Sequence, residues 1–559
     1  MEDHTVELVV VGSGTGLLAA LTAVDLGMSV LVVEKSPHVG GSTALSGGGF
    51  WIPGNSVLRD AGIRDTPERI REYLRHVTDA QVPRARWETH VVHGPAAVDV
   101  LRRRTPLAFQ HMRDYADYFP ELPGGSATGR AVEPRPFDLH QLGEERSTLR
   151  PPTLTSPVPM PVTARDFRWL NLAARHPRGV VTGARAMGKG VGGLVLRREY
   201  AAGGQALVAG MYAGALAADV PVWTSTRLED LVVEHGRVTG VVVRVDGADL
   251  KLHALRGVVL AAGGFDRSPG LRQRWQSPAL DVAWSFGSPE DTGEVIEIAR
   301  TTAGADLAFM DESWWFPAVP LPGGPAPLLA ERSLPGQVIV NGHGRRFMNE
   351  AVNYMTAGQI MLSRHHEGDP HVPAWMVFDQ TFRNRYLFAG SVLPHQPLPQ
   401  SWYDAGVAHR AATVVELAAK VGFPGLPDTI ERFNVLAASG RDDDFHRGDS
   451  AYDRYYGDPT VHPNPCLGPV EHGPFYAVQV VPGDLGTCGG VHADGFARAL
   501  RPDGSVIEGL YATGNAAGNA FGRVYPGPGA TIGQGLSYAY VAARHAAGLL
   551  GEVGVTSAA

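Results

Sequence analysis

Short continuous apolar runs alternate along the chain with stretches of helical spacing, and the first fifty residues hold the tightest example. Leu8-Val9-Val10-Val11 ends in Gly12-Ser13-Gly14-Thr15-Gly16. Leu17, Leu18, Leu21, Val24 and Leu26 follow among alanines as far as Gly27, and a second apolar run, Ser29 to Val33, stops at Glu34. Apolar runs bounded by turn residues predict buried parallel strands, so this stretch predicts strand, glycine turn, helix, strand. The apolar run into glycine recurs at Gly257–Phe265 and again at Gly509–Asn515. Between these, 66–104 predicts helices, with Pro67 at a first helical position after Thr66. A helix is expected from Gly203 (Leu207, Met211, Leu216), then strands over Val220–Trp223, Leu228–Val233 and Val238–Val245 around a His235-Gly236 turn. Ala530 to Leu550 predicts a closing helix. Residues 283–484 carry few long apolar strands and look mixed. The pattern predicts an α/β, Rossmann-like domain formed by 1–282 and 485–559, with an inserted α+β domain over 283–484.

The glycine turn brings chemistry into that picture. Gly12, Ser13, Gly14, Thr15 and Gly16 let backbone approach a pyrophosphate at a helix N-terminus, where unpaired N–H groups favour negative charge. Glu34 lies twenty residues after Gly14, where a carboxylate accepts the hydroxyls of an adenosine ribose and repels a 2′-phosphate. That selects FAD or NAD over NADP. The motif departs from G-x-G-x-x-G in having Leu17 at its third glycine position and Gly16 one place early. Gly40-Gly41-Ser42-Thr43 and Ser46-Gly47-Gly48-Gly49 follow directly, flanked by Leu45, Phe50, Trp51 and Ile52. A small-residue loop against apolar side chains suits a wide planar ring, which favours FAD. Lys35, Ala262, Gly263, Gly514, Asn515, Thr531 and Ile532 complete the expected cofactor-binding set.

Composition narrows the class. The chain has 559 residues, 44% hydrophobic and 19% charged, with net charge −8, enough for two domains or more and without a general nucleic-acid footprint. Cys466 and Cys488 form no C-x-x-C, so neither a disulfide scaffold nor an iron–sulfur ligand set is expected. The start, Met1-Glu2-Asp3-His4, is acidic, without a basic n-region, and no apolar run approaches the roughly 20 residues that span a bilayer. The expected location is the cytoplasm. His365-His366 sits beside Glu367, Gly368 and Asp369 and reads as a solvated loop; no metal is expected. Prolines crowd 134–161, and 161–200 then holds eight basic residues against Asp166 and Glu199, mixed with Trp169 and several leucines and valines. This basic, proline-flanked insertion, about 131–200, is a candidate for peripheral membrane contact, with a solvated insertion or an oligomer contact as its alternatives.

Gly12–Gly16, Glu34, Gly40–Gly49, Ala261–Gly264 and Gly509–Asn515 together resemble the FAD-binding pieces of the fumarate reductase and succinate dehydrogenase flavoproteins. Within that superfamily Gly47–Pro53, Phe347-Met348-Asn349-Glu350 and Tyr525-Pro526-Gly527-Pro528-Gly529 resemble the 3-ketosteroid Δ1-dehydrogenases. The resemblance implies 1,2-desaturation of a 3-ketosteroid, with one hydrogen leaving C2 as a proton and the other leaving C1 as a hydride to the flavin. It implies Tyr354 as proton acceptor, Tyr118 as its partner, and Tyr525 with the Gly529 N–H as donors to the C3 oxygen. Trp51, Trp315 and Phe316 are candidate walls of a steroid slot, and each could equally be core. Ser42 stands where some relatives carry a flavin-linked histidine, which implies noncovalent FAD. The dicarboxylate motifs are missing: Phe316-Pro317-Ala318 and Leu485 occupy the places expected of a dianion cradle, with Arg523 the one cation nearby. The electron acceptor is unknown, a quinone being one candidate. The alternatives are Δ4-(5α) desaturation or a fumarate-type reduction, and, outside catalysis, a flavin-carrying membrane electron shuttle.

Overall fold

The computed structural model describes residues 4–152 and 160–550; the acidic start at 1–3 and part of the proline-rich stretch, 153–159, lie outside the described residues. Apolar runs do form the centre of a largely parallel sheet. The strand His4–Val11 pairs in parallel with Val30–Val33 on one side and with Ala248–Leu260 on the other. Val506–Ala512 continues in parallel beyond Ala248–Leu260, and Val222–Trp223 adds next to Val30–Val33. Val9 sits opposite Val258, and Val258 opposite Leu510. The glycine-bearing ends of these strands therefore leave the sheet at one edge, the carboxyl ends where open α/β sheets hold ligands.

Helices Gly16–Asp25, Gly203–Ala217 and Ala530–Ala546 share the core on one face of this sheet. The antiparallel strands Arg227–Glu234 and Arg237–Val245 extend from Ala248–Leu260 and contribute to the core on the other face. A second, antiparallel sheet is organised on Phe475–Thr487, which pairs with Ser313–Val319, Ala374–Asp379 and Ala408–Ala411. Gln337–Val340 and Ala326–Pro327 add at its margins. Its strands all lie between 313 and 487. The helix Glu294–Thr302, on the inserted side of residue 283, packs back on the first sheet through Ala299. The whole is a mixed α/β chain in which 313–319 and 475–487 lie against the carboxyl edge of the first sheet: Gly264 and Phe265 meet Thr487, whose hydroxyl accepts from the Phe265 N–H at 3.0 Å.

The basic segment folds as two helices. Thr163 and Asp166 form a capping box for Ala164–Leu170, and Pro177–Val195 follows. The longer helix buries Gly179, Ala186, Gly190 and Gly193 and leaves Val180, Met187, Val191, Leu194 and Val195 exposed. No helix among the described residues is long and apolar enough to cross a membrane.

Candidate active site

One continuous cleft, enclosing about 1830 Å³ with the open space at its mouth, runs from Glu34 to Tyr354 and Tyr525. At its first end the glycine turn is built tightly. Gly12 has φ +105, and a Cβ there would lie 2.4 Å from the Ala261 carbonyl oxygen, so only glycine brings the first turn this close to the third strand. Glu34 is buried at the end of its strand and accepts from the Ser13 N–H at 3.0 Å, the Ser13 hydroxyl at 2.6 Å and the Ser36 N–H at 2.9 Å. These bonds orient the carboxylate and leave lone pairs for ribose hydroxyls. Lys35 also lines the cleft, its ammonium held by Glu294 at 2.9 Å. Gly16 does not line it: a Cβ there would strike Val10 and Ala261 side chains, so this glycine seats the helix on the sheet.

Gly41, Ser42, Thr43, Ser46, Gly47, Gly48, Ala262, Gly263, Gly514 and Asn515 all line the middle of the cleft. Backbone at Gly41 and Gly47 meets almost nothing where a side chain would stand, leaving a shelf for a flat ligand. Ser42 donates to Asp291 at 2.5 Å and accepts from the Ser288 N–H at 2.7 Å, and burial holds the Asp291 carboxyl well above the ordinary carboxylate range. From the last helix, Thr531 and Ile532 present the first turn to the same space, and Asn515 is fixed between Thr531 Oγ1 at 3.2 Å and Trp314 Nε1 at 3.0 Å. A long cleft with a buried carboxylate at one end, helix N-termini along it and a glycine shelf fits FAD.

The far end is aromatic. Tyr354 opens the helix Tyr354–His366, capped by Asn353, whose Oδ1 accepts from the Thr356 N–H at 3.0 Å. Tyr525 opens the loop into the last helix. The rings of Tyr118, Tyr354 and Tyr525 contact each other pairwise, with centroids 5.1–5.3 Å apart. Tyr354 and Tyr525 line the cleft; Tyr118 stands behind them, its hydroxyl buried without a hydrogen-bond partner. Burial pushes the Tyr525 phenol up to about 12, while the Tyr354 hydroxyl and the N–H groups of Thr531 and Gly529 draw it back. Burial likewise raises Tyr354 well above an ordinary phenol, Tyr525 and Tyr115 add to the rise, and Tyr118 opposes it. The tyrosine cluster is therefore neutral at neutral pH, with donors converging on Tyr525.

Trp51 and Trp315 do not line the cleft. Trp51 is buried behind the 527–529 loop: its Nε1 donates to Asp117 at 2.8 Å, its N–H donates to the Gly529 carbonyl at 3.1 Å, and a Cβ on Gly527 would lie 2.4 Å from its ring. Trp315 faces away because Ser313–Val319 alternates sides; its ring packs on Gly358 and its Nε1 donates to Glu312 at 2.8 Å. Phe316, on the opposite side of that strand, does line the cleft and meets Tyr354 at 4.9 Å. The remaining apolar wall comes from Met112, Tyr115, Phe286, Leu329, Tyr456 and Leu485, of which only Leu485 stands at a motif position.

A charged platform supports this wall. Asp117 takes the Trp51 indole, the Ser126 N–H at 3.1 Å and Arg130 at 2.5 Å, and Arg130 also reaches Asp65 at 2.5 Å. All three are buried. The Pro526 carbonyl accepts from the Tyr73 hydroxyl at 2.5 Å and the Tyr118 N–H at 3.1 Å, which ties the Tyr525 loop to the same platform. Arg130→Ala leaves two carboxylates buried without their cation, and unfolding in urea is expected to show a loss of about 3–5 kcal/mol.

Comparison with known proteins follows the same lines. The family model described as FAD binding domain matches residues 7–532. The chain is 46% identical over 555 residues to a 3-oxosteroid 1-dehydrogenase of Mycolicibacterium smegmatis, covering 97% of each. It is 44% identical over 558 residues to one of Mycobacterium tuberculosis, covering 98% of this chain and 99% of that protein. Among solved structures it is similar to the 3-ketosteroid delta1-dehydrogenase from Sterolibacterium denitrificans in complex with 1,4-androstadiene-3,17-dione, with TM-score 0.92, 38% identity, and coverage of 98% of this chain and 100% of that one.

Proposed function

The chain belongs to the FAD-binding-domain flavoproteins, and within them to the 3-oxosteroid 1-dehydrogenases; from that premise we propose that it desaturates the C1–C2 bond of 3-ketosteroids. The observation that carries the reading is the meeting of Tyr354 and Tyr525 at the end of the dinucleotide cleft, with no lysine or arginine among the described residues that line that end. FAD, when bound, supplies the two-electron acceptor for the hydride. The protein's own task is to make the C2 proton acidic and to remove it.

That proton is acidic only if charge can flow onto the C3 oxygen. The Tyr525 hydroxyl and the Gly529 N–H, which faces the Tyr525 oxygen, are the two donors for it. Preorganised donors in a dry site act where charge develops. Tyr354 takes the proton from C2. A neutral phenol is a poor base, so Tyr354 needs a neighbour that stabilises its oxygen as it loses its own proton. Tyr118 has the unpaired hydroxyl placed to donate there. Phe316, Phe286, Leu329 and Leu485 form the apolar surface against which a sterol skeleton lies. Mixing purified FAD-loaded protein with 4-androstene-3,17-dione and a dye acceptor tests the reading; no dye bleaching overturns it.

A fumarate-type reaction is disfavoured by charge. Arg523 is committed to Asp311 at 2.9 Å and Asp79 at 3.5 Å and lies outside the cleft lining. The reducing equivalents leave through an acceptor for which a quinone is a candidate. The apolar stripe of Pro177–Val195, with Val180 60% and Val195 78% exposed, is the surface for a bilayer. Flotation with anionic vesicles is expected to carry the protein up, and a V180S/V191S/V195S variant is expected to stay down.

FAD is held noncovalently, since Ser42 offers no nucleophile of the histidine kind and is occupied by Asp291 and Ser288. Acid precipitation is expected to release all the flavin. Glu34→Ala removes the charged acceptor for the ribose, and titration of apoprotein with FAD is expected to show affinity reduced by about 1.5–3 kcal/mol.

A further inference from the structure

Behind the aromatic wall lies a second, open concavity of about 1850 Å³, counting the open space at its mouth. Tyr455 lines it and stacks on Tyr115, a wall residue of the first cleft, at 4.4 Å. Its charge is lopsided. Arg113 and Arg135 enter from one side, Arg165 and Arg168 from the short basic helix, and Arg178, Arg185 and Lys189 from the long one. Only Asp114 and Asp166 face them, and Asp166 is committed to the capping box through Thr163. Among the described residues, the one ion pair of these seven cations is Arg113 with Asp114, at 4.0 Å. The Arg168 and Arg178 guanidiniums both lie against the Trp169 ring, at 4.9 and 5.2 Å from its centre, and the Arg168 Nε is buried without a partner.

Like charges gathered in a concavity repel one another, and low-dielectric walls focus their field. In a chain of net charge −8, such a cluster is stabilised by an anion that fills it. We propose that this cavity binds a soluble, phosphate-bearing polyanion, for which inorganic pyrophosphate is the probe. Arginine suits phosphate oxygens because its planar fork donates two parallel hydrogen bonds. The anion is not a bilayer: Arg178, Arg185 and Lys189 recur at spacings of seven and four, and Val180, Met187, Val191 and Leu194 at seven, four and three. At about 100° per residue these sets stand on roughly opposite faces of the helix, so a membrane touching the apolar set cannot fill the cationic one.

The site stands independently of the steroid reading, since none of its cations lines the first cleft. Its ligand is either free in solution or the charged tail of a substrate whose ketone lies in the first cleft. Calorimetric titration of the FAD-loaded protein with inorganic pyrophosphate tests the site. Saturable binding is expected, weakened on the order of tenfold between about 50 and 200 mM salt. It is expected to be lost in R178E/R185E and kept in R178K/R185K, with turnover of an uncharged 3-ketosteroid unchanged in both. Heat of dilution alone in the wild type, or equal affinity in R178E/R185E, overturns the proposal. A 3-ketosteroid bearing a phosphorylated side chain then assigns the source. A KM raised only for this compound in R178E/R185E marks a substrate tail, and an unchanged KM marks a free ligand.

Discussion

Tyr354→Phe is expected to slow steroid-driven flavin reduction by about 10²–10⁴, the range of general-base catalysis, while leaving the fold and the flavin spectrum intact. The substitution deletes one oxygen and nothing else. The ring stays between Phe316 at 4.9 Å and Tyr525 at 5.3 Å, so packing is retained. Stopped-flow bleaching of the bound flavin measures the step directly, and steroid affinity, read from the concentration dependence, is expected to change little. Because burial holds Tyr354 well above the usual phenol range, the reactive deprotonated fraction grows with pH, and the wild-type rate is expected to climb through pH 9 without a plateau. Tyr118→Phe removes the hydroxyl that opposes this rise. It is expected to lower the rate less than Tyr354→Phe and to leave the climb steeper on the alkaline side. A Tyr354→Phe rate within threefold of wild type removes Tyr354 as the base.

The cofactor half of this site was legible because its chemistry is local. Gly12 to Gly16 and Glu34 lie on one strand–helix–strand unit, and the same requirement for close backbone approach that makes Gly12 obligatory also makes it conspicuous. The fold class followed from the apolar runs at 8–11, 257–262 and 509–512, which share one sheet and end at one edge. The substrate half was legible only where a resemblance supplied it. Met112 with Tyr115, Phe286 and Tyr456 come from three distant segments and meet only in three dimensions, so no spacing announces them. Trp315 illustrates a subtler limit. Strand 313–319 is buried along its whole length, and alternation gives two faces without saying which one meets the cleft; both Trp314 and Trp315 are buried, and only the neighbours decide. Trp51, a candidate for either slot wall or core in the sequence, lies one layer deeper, where Gly527 and Asp117 close around it. The cations of 161–200 were visible as an excess, but their convergence on one cavity depends on two helices and on Arg113 and Arg135, which lie outside the segment.

Tyr525→Phe and Gly529→Ala are expected to damage the same step by different routes. Tyr525→Phe takes one donor from the C3 oxygen and is expected to cost about 10²–10³ in rate with the fold unchanged. Gly529→Ala keeps the N–H but moves it. Gly529 has φ +84, and a Cβ there would lie 2.1 Å from the Gly49 carbonyl oxygen. The left-handed conformation alone costs an L-residue roughly 1–2 kcal/mol. The contact adds to that, because its other partner is backbone and cannot rotate away. The loop must then shift, and with it the start of the last helix and the Trp51 N–H bond to the Gly529 carbonyl. A melting temperature lowered by several degrees is therefore expected alongside a rate loss at least as large as that of Tyr525→Phe. If both groups serve one oxygen, the double variant is expected to fall well short of the product of the single losses, since nothing remains to displace once the oxygen is unheld. Strictly multiplicative losses in flavin-reduction rate assign the two groups to separate tasks.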